Sequence, residues 1–239
     1  MPDFDPPAFL EEFGRVAGLR GLESRCLAET SAGPVMAYTS GLVEGTFRYL
    51  SAGIHGDEPA GPLAALELLR RGHFDHGWAV CPALNPTGLI VGTRENEAGI
   101  DLNRDYRRFD TAEVSGHVEW LKTLPIPRSF ISLHEDWEST GFYFYEINLG
   151  EDRPDRAESL LKAVEPHLPR EPAAVIDDHE TREPGWIFHR AEADLPDEWP
   201  EAIYLAKSGC PISFTFETPS AMALENRIAA HIAAFKAAI

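Results

Sequence analysis

The feature that most constrains the fold of this chain is the alternation of short apolar segments with longer segments of helical periodicity. β-Branched and aromatic residues predict strands over residues 35–39, 46–53, 78–83, 128–133, 141–147 and 211–216. Apolar spacing predicts helices over residues 9–19, 58–71, 112–124, 157–167 and 221–238. Strands that alternate with helices form a mostly parallel sheet covered on both faces. The sequence therefore predicts an α/β fold, with a mixed, mostly parallel sheet in a single domain spanning residues 1–239.

Two segments lack such a pattern. Residues 85–110 are rich in glycine, asparagine and arginine, and an irregular segment of that length in a compact domain is often functional. Residues 168–201 contain many prolines and acidic residues and are the most difficult to assign. We therefore expect functional side chains in the first segment and assign no element to the second.

An excess of acidic residues restricts the classes of partner. The chain has 39 acidic and 21 basic residues, a net charge of −18. A field of this sign repels phosphate backbones and anionic membranes, which argues against nucleic-acid or membrane binding. The three widely spaced cysteines are typical of a reducing compartment. Because the N-terminus carries no secretory signal and no apolar run is long enough to span a bilayer, we expect a cytoplasmic protein.

Three residues form a candidate metal site. His55 and Glu58 are three positions apart at a predicted strand-to-helix turn, and His134 directly follows another predicted strand. Two histidines and one glutamate leave the fourth position of a tetrahedral zinc ion open for water, which is typical of catalytic zinc. Taken alone, the His-x-x-Glu spacing is a weak signal, since it also arises by chance and His134 could have a purely structural role.

The predicted positions of these residues favour a common site. His55, His134 and Glu217 each directly follow a predicted strand. In α/β sheets, binding sites form where the strands end and the loops begin. We therefore expect Glu217 to lie close to the two histidines.

Further motifs occur in a fixed order around the two histidine segments: Asn85-Pro86-Thr87-Gly88, Arg94, Asp101-Leu102-Asn103-Arg104 and Phe216-Glu217-Thr218. Together with His55, Glu58 and His134, this series resembles the zinc carboxypeptidase (funnelin) family. The family includes a more distant aspartoacylase and succinylglutamate desuccinylase branch. The resemblance covers about residues 53–219, and the segments around residues 134–137 and 141–146 resemble a small bacterial branch near the rapid-encystment-phenotype carboxypeptidases.

The resemblance implies a zinc carboxypeptidase-like domain that binds one Zn²⁺ ion, and it implies a role for seven side chains. These are zinc ligation by His55, Glu58 and His134, oxyanion stabilisation by Arg94, binding of the substrate's terminal carboxylate by Asn103 and Arg104, and general-base catalysis by Glu217. Each role suits the chemistry of its side chain. A guanidinium binds a carboxylate through two parallel hydrogen bonds, and a carboxylate can take a proton from water.

The sequence also departs from the digestive carboxypeptidases. Glu58 and His134 are only 76 positions apart (134 − 58), and Asp57 stands where those enzymes carry an arginine. The chain is too short for the additional C-terminal β domain of aspartoacylases. No residue clearly matches the family's substrate-capping tyrosine, for which Tyr204 and Trp186 are the candidates. Because of these departures, the sequence does not predict the identity of the substrate.

Three functions are consistent with these residues. The first is a metallocarboxypeptidase that removes a C-terminal residue from a peptide. The second is an amidohydrolase that deacylates an N-acyl amino acid with the same catalytic groups. The third is a protein that binds zinc or a peptide without catalysis. Both enzymatic functions imply a substrate with a free carboxylate, and the oligomeric state is not predicted.

Other polar residues are assigned less specific positions. Five histidines have no matching partners in the sequence, and we expect them to lie at surfaces or edges: His117, His167, His179, His189 and His231. Four acidic residues could line the site and favour a cationic substrate, or could support other residues: Glu135, Asp136, Glu138 and Glu146. Cys81 lies in an apolar strand and is expected in the core.

Overall fold

A computed structural model describes residues 4–239, so the first three residues of the predicted domain lie outside it. The helices of this part are α1 (Pro6–Leu19), α2 (Ala60–Arg70), α3 (Pro86–Val91), α4 (Ala112–Leu121), α5 (Pro154–Val164), α6 (Glu201–Lys207) and α7 (Leu224–Ala238). The strands are β1 (Glu23–Thr30), β2 (Gly33–Ser40), β3 (Arg48–Ala52), β4 (Trp78–Cys81), β5 (Ser129–Asp136), β6 (Tyr143–Asn148), β7 (Val175–Ile176), β8 (His179–Glu180), β9 (Trp186–His189) and β10 (Ile212–Pro219). A short 3₁₀ helix covers Leu102–Arg104. Within residues 4–239, no helix is long and apolar enough to cross a membrane.

Within the described residues, the main sheet has eight strands in the order β1-β2-β4-β3-β5-β10-β6-β9. The central strands β4, β3, β5 and β10 are parallel to one another, and β9 is parallel to β6. The remaining pairs, β1 with β2, β2 with β4 and β6 with β10, are antiparallel. This confirms the predicted mixed and mostly parallel sheet.

Helices cover both faces of the sheet, as predicted. Side chains alternate between the faces along each strand, so Leu50 of β3 belongs to an apolar cluster that also contains residues of α1, α2, α5 and α7. Its neighbour Tyr49 packs on the opposite face with apolar residues of α4 and α6. Cys81 lies fully buried in this second cluster, which confirms its predicted core position.

The sequence did not predict strand β1 or helix α3, for physical reasons. Strand β1 lies at the edge of the sheet and pairs only with β2, and most of its side chains are exposed. An exposed edge strand needs no apolar alternation, so its sequence carries no strand pattern. Helix α3 lies inside the segment predicted to be irregular, and it begins where the Asn85 side chain accepts a hydrogen bond from Gly88 N at 2.8 Å.

Residues 168–201 contain a two-stranded hairpin, β7–β8, followed by strand β9 of the main sheet. The two residues at the tip of the hairpin, Asp177 and Asp178, both adopt positive φ angles of 48° and 63°. This conformation is that of a two-residue type I′ turn, which aspartate tolerates better than most residues. The hairpin and β9 form one wall of the cavity described below.

Candidate active site

Three buried side chains form the candidate metal centre. His55 and Glu58 lie in the turn between β3 and α2, and His134 lies on β5, the strand next to β3. His55 Nδ1 is 2.6 Å from Glu58 Oε1, and His134 Nδ1 is 3.1 Å from Glu58 Oε2. The candidate ligand atoms of the three residues all lie within 4.8 Å of one another. The structure therefore brings together the three residues that the sequence selected.

The ligand-bearing turn packs directly against the Asn-Pro-Thr-Gly turn. A Cβ atom added at Gly56 would lie 1.9 Å from the carbonyl carbon of Gly88, and one added at Gly88 would meet the Asn85 side chain at 2.4 Å. Gly56 N also donates a hydrogen bond to Thr93 O at 2.9 Å. Only glycine permits so close a backbone approach, which fixes the turn that carries His55 and Glu58.

The donor set fits a zinc ion. Glu58 Oε2 is buried and lacks a hydrogen-bond partner, although His134 Nδ1 lies close to it. A buried carboxylate oxygen without a partner costs free energy, and a shared cation would satisfy it. Two imidazole nitrogens and one carboxylate also match the three-ligand sites of catalytic zinc.

Neighbouring charges in the site determine which of its groups are protonated. Burial disfavours the charged form of His55, but Glu58 and Asp101 outweigh it and raise the pKa of His55 to about 9. Burial likewise acts against the charge of Glu58, but the two histidines hold the pKa of that carboxyl well below its usual range. Burial lowers the pKa of His134. Without a metal ion, the site therefore retains a proton on His55, which metal binding must displace.

Asp101 orients the imidazole ring of His55, one of the candidate metal ligands. Its Oδ1 lies 3.2 Å from His55 Nε2 and accepts a hydrogen bond from Asn103 N at 2.8 Å. Its Oδ2 accepts a hydrogen bond from Arg94 Nε at 2.9 Å. A carboxylate that binds one imidazole nitrogen directs the other nitrogen toward the metal. The sequence motif contained Asp101, but its role became apparent only from these contacts.

Glu217 lies beside the metal centre on β10. It is paired in register with His134 of β5 on one side and with Tyr143 of β6 on the other. Burial, and next the negative charge of Glu58, raise the pKa of Glu217 well above its usual value. A cation at the neighbouring site would oppose this shift and favour the charged carboxylate.

His134 and Glu217 lie within their strands, whereas the sequence placed them just after the strand ends. β5 continues to Asp136 and β10 to Pro219. Their polar side chains ended the apolar pattern, but the backbone pairing of β5 with β10 continues beyond them. The expected proximity of Glu217 to the histidines is nevertheless confirmed.

The three remaining predicted residues also line the cavity. The guanidinium of Arg94 pairs with Asp101, and its Nη1 lies 3.3 Å from His55 Nδ1. Asn103 Oδ1 accepts a hydrogen bond from Glu201 N at 3.0 Å, so its Nδ2 is the group available to donate. Arg104 Nη1 donates to Asn103 O at 3.0 Å. These contacts fix the orientation of the loop that carries both residues.

All seven predicted residues line a single cavity of about 550 Å³. Two tyrosines of β6, Tyr143 and Tyr145, line it as well, whereas Tyr204 and Trp186 do not. Trp186 is buried against Phe144, and Tyr204 packs beside Tyr106. Neither candidate for a capping residue therefore lies on the cavity wall.

A buried carboxyl group, Glu201, contributes to the floor of the cavity. Tyr49 OH and Ser51 Oγ donate hydrogen bonds to its two oxygens at 2.8 and 2.7 Å. Burial raises its pKa to about 7, although these two hydrogen bonds oppose the shift. Sequence inspection missed Glu201 because its partners come from other elements of the fold.

The surface or edge position expected for five histidines is wrong for two of them. His117 is fully buried, and its nitrogens lie 2.8 Å from Tyr49 OH and 2.7 Å from Tyr106 OH. Burial lowers the pKa of His117 to about 3, so the ring is neutral and can donate to one tyrosine and accept from the other. His231 is also fully buried, 3.2 Å from Thr218 Oγ1. His167 is exposed, as expected.

The four acidic candidates divide into two groups. Glu135, Asp136 and Glu138 line the cavity. Glu135 is buried, where it accepts a hydrogen bond from Ala60 N at the start of α2 and pairs with Arg227 of α7. Glu146 is buried and paired with Arg156, and it does not line the cavity.

The family model of the succinylglutamate desuccinylase/aspartoacylase catalytic domain matches residues 44–237. No functionally curated protein matches the sequence significantly.

Several solved structures share the fold. A protein from Shewanella denitrificans, provisionally described as a metallopeptidase, superposes with a TM-score of 0.85 and 25% identity over 98% of this chain and 89% of that one. A similarly described protein from Shewanella amazonensis gives a TM-score of 0.84 and 26% identity over 98% and 92%. The murein-tripeptide amidase of Escherichia coli O157 is 17% identical over 92% of both chains, with a TM-score of 0.59, and shows the fold alone.

Proposed function

This chain belongs to the succinylglutamate desuccinylase/aspartoacylase catalytic domain family, a family of hydrolases, and we propose that it is a zinc-dependent metallocarboxypeptidase. The substrate is a short peptide with a free C-terminal carboxylate, and the bond cleaved is the amide next to that residue. The observation that carries the proposal is that a His/Glu/His metal centre, the half-buried Glu217 and an Asn–Arg pair all line one cavity.

The chemistry follows from the positions of the side chains. A zinc ion held by His55, Glu58 and His134 would polarise the scissile carbonyl and lower the pKa of a water molecule to about 7. Glu217 takes a proton from the attacking water and delivers it to the leaving amine, so the water adds to the carbonyl carbon and the C–N bond breaks. Arg94 donates hydrogen bonds to the carbonyl oxygen as negative charge develops there.

The part of the cavity around Asn103 and Arg104 determines which amide bond of the substrate lies at the metal centre. Arg104 binds the terminal carboxylate of the substrate through its guanidinium, and Asn103 donates through Nδ2. Because Glu201 N already occupies Asn103 Oδ1, the amide is held with its donor end free. This binding places the adjacent amide bond, and not an internal one, at the metal centre.

Deacylation of an N-acyl amino acid is the second candidate function. It is supported by the family itself, whose description names a desuccinylase and aspartoacylase. The same groups would act on such a substrate, since it too has an amide bond next to a carboxylate-bearing carbon.

An assay of the purified protein on blocked dipeptides and on N-acetyl and N-succinyl amino acids separates the two functions. We expect release of the C-terminal residue from blocked dipeptides. Activity only on the N-acyl amino acids would reject the peptidase proposal in favour of the deacylase. A protein that binds zinc but hydrolyses neither class would support the non-catalytic alternative.

Substitution of Arg104 by alanine is expected to weaken substrate binding more than turnover. Hydrogen bonds to a charged group contribute about 1.5–3 kcal/mol, so KM should rise by about 10- to 100-fold while kcat changes less. The measurement is steady-state kinetics on a peptide with a free C-terminus and on its C-terminal amide. Arg108→Ala, at an exposed arginine nearby, is the control. If Arg104→Ala left KM unchanged for the free acid, the carboxylate-binding role would be wrong.

A further inference from the structure

A second group of potential metal ligands lies on the wall of the cavity, outside the centre described above. His179 is on β8, His189 is at the end of β9, and Asp194 is in the loop that follows. His179 Nε2 is 3.4 Å from Asp194 Oδ2, and His189 Nε2 is 3.8 Å from Asp194 Oδ1. The candidate ligand atoms of the three residues lie within 4.8 Å of one another. The expectation that these two histidines have no partners is therefore wrong.

The spacing resembles that of ligands around a single ion. Zinc binds nitrogen and oxygen ligands at about 2.0–2.2 Å, so two ligand atoms of a tetrahedral site are about 3.3 Å apart. The two His–Asp distances are close to this value. Imidazole and carboxylate together suit Zn²⁺ and related transition metals better than Ca²⁺ or Mg²⁺, which prefer oxygen ligands alone.

The surroundings favour a cation at this position. The rings of His179 and His189 are only 4.6 Å apart and meet edge to face. Tyr145 packs edge-on against both rings and holds them in place. Asp177, Asp178 and Glu192 line the same wall and add negative charge.

We propose that His179, His189 and Asp194 form a second transition-metal site on the cavity wall. The ion would connect β8, β9 and the following loop. Because the side chain of Asp194 is 68% exposed, the site is open to solvent and an ion there should exchange readily. This site does not depend on the proposed peptidase activity.

The test is a count of bound zinc ions that needs no activity assay. The metal-free full chain is dialysed to equilibrium against Zn²⁺, and the ions retained per chain are measured. We expect two for the wild type and one each for His189→Ala and His134→Ala. His167→Ala, at an exposed histidine away from both groups, should retain two.

A second substitution, at an exposed position, tests the same site with less risk of misfolding. Asp194→Asn changes only an exposed side chain and should weaken binding of one of the two ions at least about tenfold. Retention of two ions by His189→Ala, or of one ion by the wild type with none in His134→Ala, would overturn the proposal. If instead the wild type bound one ion and His189→Ala none, the second site would be supported while zinc at the His55 centre would be rejected.

Discussion

Replacing Glu217 with glutamine is expected to abolish hydrolysis while leaving zinc bound at the His55 centre. Glutamine has nearly the same shape but cannot accept the proton of the attacking water, and loss of a general base lowers turnover by about 10²- to 10⁴-fold. Since Glu217 is not one of the three ligand residues, the metal content should not change. The measurement is kcat on a blocked dipeptide together with the zinc content of the same sample.

The matched control is Glu119→Gln, at an exposed position of α4. It should have wild-type kcat. A near-normal rate for Glu217→Gln would show that another group takes the proton. Loss of zinc from Glu217→Gln would show that the carboxylate belongs to the metal centre.

The second large effect concerns the metal itself. Removal of zinc from the wild type by a chelator should lower the activity by at least about 10³-fold, since the ion supplies several kcal/mol of transition-state stabilisation. Addition of zinc should restore the activity of the wild type but not that of His134→Ala, which lacks a ligand on β5. The measurement is activity before chelation, after chelation and after zinc addition, for both proteins.

His189→Ala provides the comparison within the same experiment, because it removes a ligand of the proposed second site only. Its activity should recover on zinc addition. Persistent activity of the chelated wild type, at a zinc content near zero, would contradict a metal-dependent mechanism.

The metal centre was predictable from sequence because its first two ligands are local. His55 and Glu58 lie on one short turn between a strand and a helix, both of which carry clear patterns. His134 and Glu217 were also found, although both lie inside strands, because each carries a polar side chain at the end of an apolar run. Short-range patterns therefore located the residues before the pairing of β5 with β10 was known.

The rest of the cavity could not be predicted because its residues meet only in the folded chain. Glu201 binds Tyr49 and Ser51, which are about 150 positions away along the chain. His179 and His189 belong to a segment without periodicity and become neighbours when β9 pairs with β6. His117 was misplaced because a buried histidine between two tyrosines has no signature distinct from that of an exposed one.

The contact between Gly56 and Gly88 has a consequence for how proteins of this kind can diversify. Because neither position can gain a side chain without separating the two backbones, the turn with the metal ligands and the loop leading to Arg94 are mechanically one unit. Mutations there would damage the chemistry before they changed selectivity. On the wall formed by the hairpin and β9, Asp178 and Glu192 are exposed and can change without moving this unit. New substrate preferences should therefore evolve in that wall, around an unchanged catalytic centre.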